Sequence, residues 1–320
     1  MSGISLVCFT ASYSVALVLE ATRLFFRSSV RGALLLGFAA AGLIAHTLYL
    51  VTRALHTQAP AVYGWYDWFL LAAWILAATY LYLTIYHRRQ PIGLFLLPLI
   101  LGMILVAYWF RGDSTFAASR RMLGWVHGLS LLVGTVVVVV GFVAGLMYLI
   151  QAARLKQKRP AGGRLNLPSL EWSQQVNSRS MIISTILLGV GVLTGLTMNA
   201  LDRAAGGTVA AVPWTDPVVW SSGLLLLWLI AASLFGAVYR PARQGRKVAY
   251  LTVASMIFLL MALGVVLLAP SQHPSQAESR GEGPGASGEG RGASGEGRGA
   301  RYEDGAALGR APVWPAGGGR

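Results

Sequence analysis

Five histidines are the side chains best suited to ligand chemistry in this 320-residue chain: His46, His56, His87, His127 and His273. Neutral imidazole is a common ligand of metals, haem iron among them. Acids offer little competition: Glu20, Asp67 and Asp216 are the only ones inside the apolar runs described below. The single cysteine, Cys8, lies within such a run, which excludes disulfide frameworks, cysteine-based zinc sites and covalent haem attachment. The chain carries no P-loop, HExxH, GxSxG or dinucleotide fingerprint.

The elements that must position these histidines follow from composition. Hydrophobic residues make up 55% and charged residues 12%, about half the ~25% charge of an ordinary soluble domain. A bilayer core needs about 20 apolar residues of helix. Eight segments qualify, at roughly 3–22, 32–52, 64–86, 92–110, 122–152, 181–201, 216–239 and 248–269. Their apolar runs are continuous rather than alternating, so the expected fold is an all-α integral membrane bundle of about eight transmembrane helices. The first segment has no basic leader and contains Glu20, so it reads as a span rather than a signal peptide.

The net charge is +14. Its placement in short gaps between apolar runs argues against nucleic-acid binding, which gathers charge on a polar domain. Gaps after the odd-numbered spans hold fifteen Lys and Arg, those after the even-numbered spans five. The positive-inside rule therefore places both termini outside the cytoplasm. Three regions result: 1–31, a first helix and basic cytoplasmic loop; 32–273, the main transmembrane domain; and 274–320, a Gly/Ser/Glu/Arg-rich tail. The tail repeats GASGEGR at 285–291 and 292–298 and is expected to be disordered, for want of apolar surface to bury.

This orientation sorts the histidines by depth. His46 lies within the membrane in its outer half, where an ionisable group is by default a functional hypothesis; the plainer reading is a hydrogen bond to a neighbouring helix. His127, near the start of span five, and His273, just after span eight, lie at the outer face. His56 reads as an outer-loop residue. His87, followed by Arg88 and Arg89, reads as a cytoplasmic interfacial anchor. Glu20, close to Arg23, reads as an interfacial residue at the inner end of its span. Glycines inside spans (Gly141, Gly145, Gly189, Gly191, Gly195) are spaced for close helix packing.

Several segments in series resemble the cytochrome c assembly family of membrane haem-handling proteins, the CcsA, CcmC and HemX group. GLIAHTLYLVTRAL, around His46, is similar to the family's LLHTLxLLxR. PAVYGWYDWFLLAAWILAATYLYL follows from Pro60. WVHGLSLLVG around His127 and GFVAGLMYLIQAARLK from Gly141 resemble the family's fifth-span motifs. LPSLEWSQQVNSRSMIISTILLGVGVLTG, Leu167 to Gly195, resembles the LPSLE segment, and GVVLLAPSQH keeps its spacing up to His273. The family's tryptophan-rich outer loop, WGxxWxWDPKExW, is reduced here to Trp214, Asp216, Pro217 and Trp220. An intramembrane histidine of the complete haem lyases has no counterpart near Phe235 or Gly236.

The resemblance implies transient haem binding by His127 and His273 as iron ligands, with His46, Trp214, Asp216 and Trp220 as further cofactor-binding residues. It implies haem handling or delivery at the outer face of the bacterial cytoplasmic (inner) membrane during c-type cytochrome assembly. Partners would be apocytochrome c and other assembly proteins, with no independent catalytic activity and at most a role in a haem lyase. The alternative is a non-enzymatic accessory protein of the HemX kind, which meets haem-synthesis or assembly partners through its basic loop at 153–180. A solute transporter fits the spans, but no internal repeat is visible in the sequence, and Pro98 is the only proline well inside a span.

Overall fold

The computed structural model describes residues 6–23, 29–56, 64–87, 90–111, 122–157, 167–204, 213–238 and 246–268. Among the described residues there are eight helices and no strand. They are α1 (Leu6–Thr22), α2 (Ser29–His56), α3 (Trp65–Tyr86), α4 (Gly93–Trp109), α5 (Met122–Lys156), α6 (Leu170–Ala204), α7 (Pro217–Val238) and α8 (Arg246–Leu268). His273 and the tail at 274–320 lie outside the described residues.

Five helices are long and apolar enough to cross a membrane, and three further helices are apolar but shorter. Many of their serine and threonine hydroxyls bond to a carbonyl one turn back along the same helix, as hydrocarbon surroundings favour. Thr10 donates to the Leu6 carbonyl, Thr47 to Leu43 and Thr197 to Leu193, each at 2.8 Å. Large apolar side chains face outward along the helices, among them Leu34, Ile44, Leu105, Ile186, Leu193 and Leu227. So much exposed apolar surface suits lipid rather than water. The architecture is that of an α-helical, multi-pass membrane protein.

Helix bounds match the apolar runs, with two corrections. α6 begins at Leu170, about three turns before the expected 181. Residues 170–180 are too polar to register as a span, yet Ser173, Asn177 and Ser180 recur at helical spacing and are buried. Asn177 accepts a hydrogen bond from Thr252 of α8 at 2.6 Å, so the polar stripe is internal. α2 runs on to His56, which is therefore the last residue of a helix rather than part of a loop. Pro98 sits inside α4 without ending it.

Consecutive helices pack into two four-membered rings. α1 and α3 each pack on α2 and α4; α5 and α7 each pack on α6 and α8; α3 packs on α5, joining the rings. One apolar core runs through both. Glycines let the helices approach where the sequence placed them: a Cβ on Gly141 would lie 2.9 Å from Ser180, and one on Gly134 2.9 Å from Leu188. The starts of α3 and α5 share one end of the bundle with the ends of α2 and α6, as the Arg53–Asp67 and His127–Gly191 contacts require. We call this the His127 end. The opposite end carries the basic gaps between helices and is called the basic end.

Candidate functional site

His127 lies in the second turn of α5 and is half-buried against α6. Two glycines on α6 make room for it. A Cβ on Gly195 would stand 2.7 Å from the ring's Cε1 and 2.8 Å from Nδ1, so the imidazole rests directly on that helix. One turn away, the Gly191 carbonyl lies 2.7 Å from Nδ1. A carbonyl only accepts, so Nδ1 carries the proton and donates, and the lone pair of the neutral ring sits on Nε2. Imidazoles that ligate metals are commonly oriented by such a bond from the other nitrogen. The sequence assigned Gly191 and Gly195 to helix packing; what they pack against is Leu131 and the histidine itself.

Trp214 and Trp220 stand at the same end. Trp214 occupies the turn before α7 and is 49% exposed; Trp220, in the first turn of α7, is 70% exposed. The Arg203 guanidinium lies 5.2 Å from the Trp214 ring centre, a cation–π contact that ties the end of α6 to the start of α7. Eight residues separate Gly195 from Arg203 on α6, a rise of roughly 12 Å, so the indole stands two turns beyond the imidazole.

Asp216 has a different role from its neighbours. Its side chain is buried, and Oδ1 accepts from the Val218 amide at 2.8 Å, while its carbonyl accepts from Val219 and Trp220. It is the N-cap of α7, followed by Pro217 at the first helical position.

His46 is in the other ring. It is 0% exposed, stacked parallel to Phe9 of α1 at 4.2 Å, with Tyr13 edge-on at 6.2 Å. Neither ring nitrogen has a hydrogen-bond partner among the described residues. The structure therefore places His127, Trp214 and Trp220 at the same end of the bundle, without contact between the imidazole and the indoles shown, and keeps His46 inside the first ring, in contact with α1. His87 follows α3 at the basic end, with its ring 5.0 Å from that of Trp172 on α6; the expected interfacial anchor is a contact between the two rings. Glu20, expected at the interface, is 1% exposed and lies 3.3 Å from Arg23.

Sequence reasoning missed the surroundings of His46. On α2, His46, Tyr49 and Arg53 share one face. The Tyr49 and Tyr66 hydroxyls are 2.5 Å apart, and Arg53 pairs with Asp67 while lying 4.7 Å above the Tyr66 ring. The spacing HisxxTyrxxxArg was the signal available. Also overlooked were Trp109 and Trp125, both exposed at helix termini of the His127 end.

Among the described residues, no three His, Cys, Asp or Glu side chains gather as a metal site. A porphyrin supplies four nitrogens of its own and asks the protein for only one or two axial ligands; His127 fits that demand by its fixed tautomer, and the exposed indoles fit a flat apolar face. His46, enclosed by Phe9 and Tyr13, and Asp216, spent on a helix cap, do not fit it in this conformation. Comparison with protein-family models, curated proteins and solved structures finds no match for the chain.

Proposed function

We propose that the protein handles haem at the outer face of a bacterial cytoplasmic membrane, for c-type cytochrome assembly, with His127 as an iron ligand. In this reading all eight helices are spans, the basic end faces the cytoplasm and both termini lie outside. The observation that carries the proposal is the hydrogen bond from His127 Nδ1 to the Gly191 carbonyl, which puts the lone pair of the neutral ring on Nε2, the nitrogen that would ligate. Trp214 and Trp220 would flank the porphyrin, and Arg203, beside Trp214, would meet a propionate by a charge-assisted bond. His273 would be the second residue to hold the iron. Bound haem would serve as cargo passed to apocytochrome c, and nothing in this role asks the chain for a catalytic group.

The accessory reading, with the 153–180 loop as docking surface, draws less support. Leu167 and Trp172 pack against the core, which leaves Ser169 and Glu171 as the exposed side chains of the LPSLEW segment.

The test is optical titration of the purified, detergent-solubilised chain with haem. Wild type should give a low-spin Soret band, and His127→Ala should change its position and weaken binding. A spectrum and affinity identical in wild type and in the His127→Ala, His273→Ala double variant would overturn the axial assignment.

A further inference from the structure

We infer that the first four-helix ring is a proton-transfer path through the membrane, with His46 as its central station. The path lies apart from the His127 site and stands independently of the haem reading.

Its members are buried and half-buried titratable groups on α1, α2 and α3, with Arg23 just after α1. At the His127 end, Asp67 pairs with Arg53 beside the Tyr49–Tyr66 hydroxyl pair, the latter 2.5 Å apart. One turn inward from Tyr49 on α2 is His46, and edge-on to it is Tyr13 of α1. At the basic end, Tyr80 and Glu20 meet over Gly93: the Tyr80 hydroxyl and the Glu20 Cγ each lie 3.1 Å from where a Gly93 Cβ would stand. Arg23 links that end to Glu20 and, at 2.9 Å, to the Gln90 carbonyl. α4, the remaining helix of the ring, contributes no titratable side chain to this interior.

Three features argue for protons rather than a larger ligand. His46 and Tyr13 are each 0% exposed, yet among the described residues both imidazole nitrogens and the Tyr13 hydroxyl lack partners. Polar groups left so in a membrane interior are costly and mark relays and ion pathways. His46 is wholly enclosed, with Phe9 stacked on its face and Tyr13 edge-on, so a planar cofactor could reach its nitrogens only if α1 and α2 moved apart. The groups are also spread along the bundle rather than gathered at one depth. Gly42 faces Tyr13 and Phe9 faces His46, so the α1–α2 register places Leu35 opposite Glu20. From Arg53 to Leu35 is 18 residues of α2, a rise of about 27 Å, against ~30 Å for the hydrocarbon core.

Transfer is balanced at each station. His46 takes a proton at one ring nitrogen and loses one from the other, then returns to its first tautomer by a ring flip. Each tyrosine hydroxyl accepts one proton as it donates another, and the Glu20 carboxylate takes a proton up and releases it. No hydrogen bond joins His46 to Tyr13 or to Tyr49, and the interval between Tyr13 and Tyr80 is bordered by the buried Ala16, Ala39, Ala73 and Ala77, so water must complete the path at each of these steps.

The experiment is proton flux into phosphatidylcholine–phosphatidylglycerol vesicles containing the full-length, haem-free chain. Flux is driven by a potassium diffusion potential and read with a trapped pH dye. Wild type should conduct above protein-free vesicles. His46→Phe should reduce flux by about a hundredfold, the lower range of what one positioned proton-transfer group contributes. Tyr13→Phe removes one hydroxyl without altering the packing, and should also reduce it if the His46 variant fails to insert. Wild-type flux equal to that of empty vesicles, or equal flux in wild type and the folded variants, would overturn the inference.

Discussion

Replacing Gly195 by alanine tests the seat of His127 without touching the histidine. The added Cβ would lie 2.7 Å from Cε1 and 2.8 Å from Nδ1 of the ring, well inside van der Waals contact. The imidazole is short and its ring rigid, so it must move as a whole, and the 2.7 Å bond to the Gly191 carbonyl goes with it. Overpacking of this kind costs about 1–3 kcal/mol. Alanine returns up to about 1 kcal/mol of helix propensity, so the net loss is about 0–2 kcal/mol. Gly102→Ala is the matched control, because a Cβ there meets nothing within 4 Å and only the propensity gain remains. Thermal unfolding in detergent, followed by tryptophan fluorescence, should place the Gly195 variant below the Gly102 variant, by roughly 2–4 °C for each kcal/mol between them. Haem titration should show a ten- to hundredfold weaker complex for Gly195→Ala, about the usual effect of disturbing an orienting partner. Two variants that melt together, with haem affinity unchanged, would refute the reasoning that this glycine holds the ring in place.

Two further outcomes concern the same end of the bundle. Arg53→Ala strips the guanidinium from the buried Asp67 and should cost about 2–3 kcal/mol, less than the 3–5 of a fully buried pair because Arg53 is partly exposed; adding Asp67→Asn should recover much of the loss in a double-mutant cycle of unfolding free energies. Asp216→Ala should lose about 0.5–2 kcal/mol through the missing cap of α7, whereas Asp216→Ser, which can still cap, should melt close to wild type with an unaltered haem spectrum. A serine variant as unstable as the alanine variant would show that the carboxylate does something other than capping.

Apolar run length located all eight helices, because in hydrocarbon a helix is one of the few ways to satisfy the backbone. It failed at the start of α6, where polar residues are buried against other helices rather than exposed, a distinction that hydropathy does not register. The histidines were found by type and depth, but their partners were not. Phe9 and Tyr13, which enclose His46, sit more than thirty residues earlier, and nothing local ties them to it. For His127 the relevant glycines were seen and read as backbone spacing. Their second effect, holding a carbonyl at 2.7 Å from Nδ1, depends on the rotation of α6 about its own axis. Asp216 was legible in another way, since an aspartate before Pro217 is an ordinary helix-start signal; the loop motif drew attention away from it.

The closure of each ring from four successive helices has a consequence for biogenesis. Every contact that defines α1–α4 is available once α4 has left the ribosome, and α5–α8 repeats the pattern without waiting on distant segments of chain. Local wiring of this kind favours rapid, stepwise assembly. It also identifies 112–121, between α4 and α5, as the place where the polypeptide can be cut into two separately translated pieces, each with a full complement of neighbours. The α3–α5 seam, with the His87–Trp172 contact beside it, would then be the joint they must find on their own.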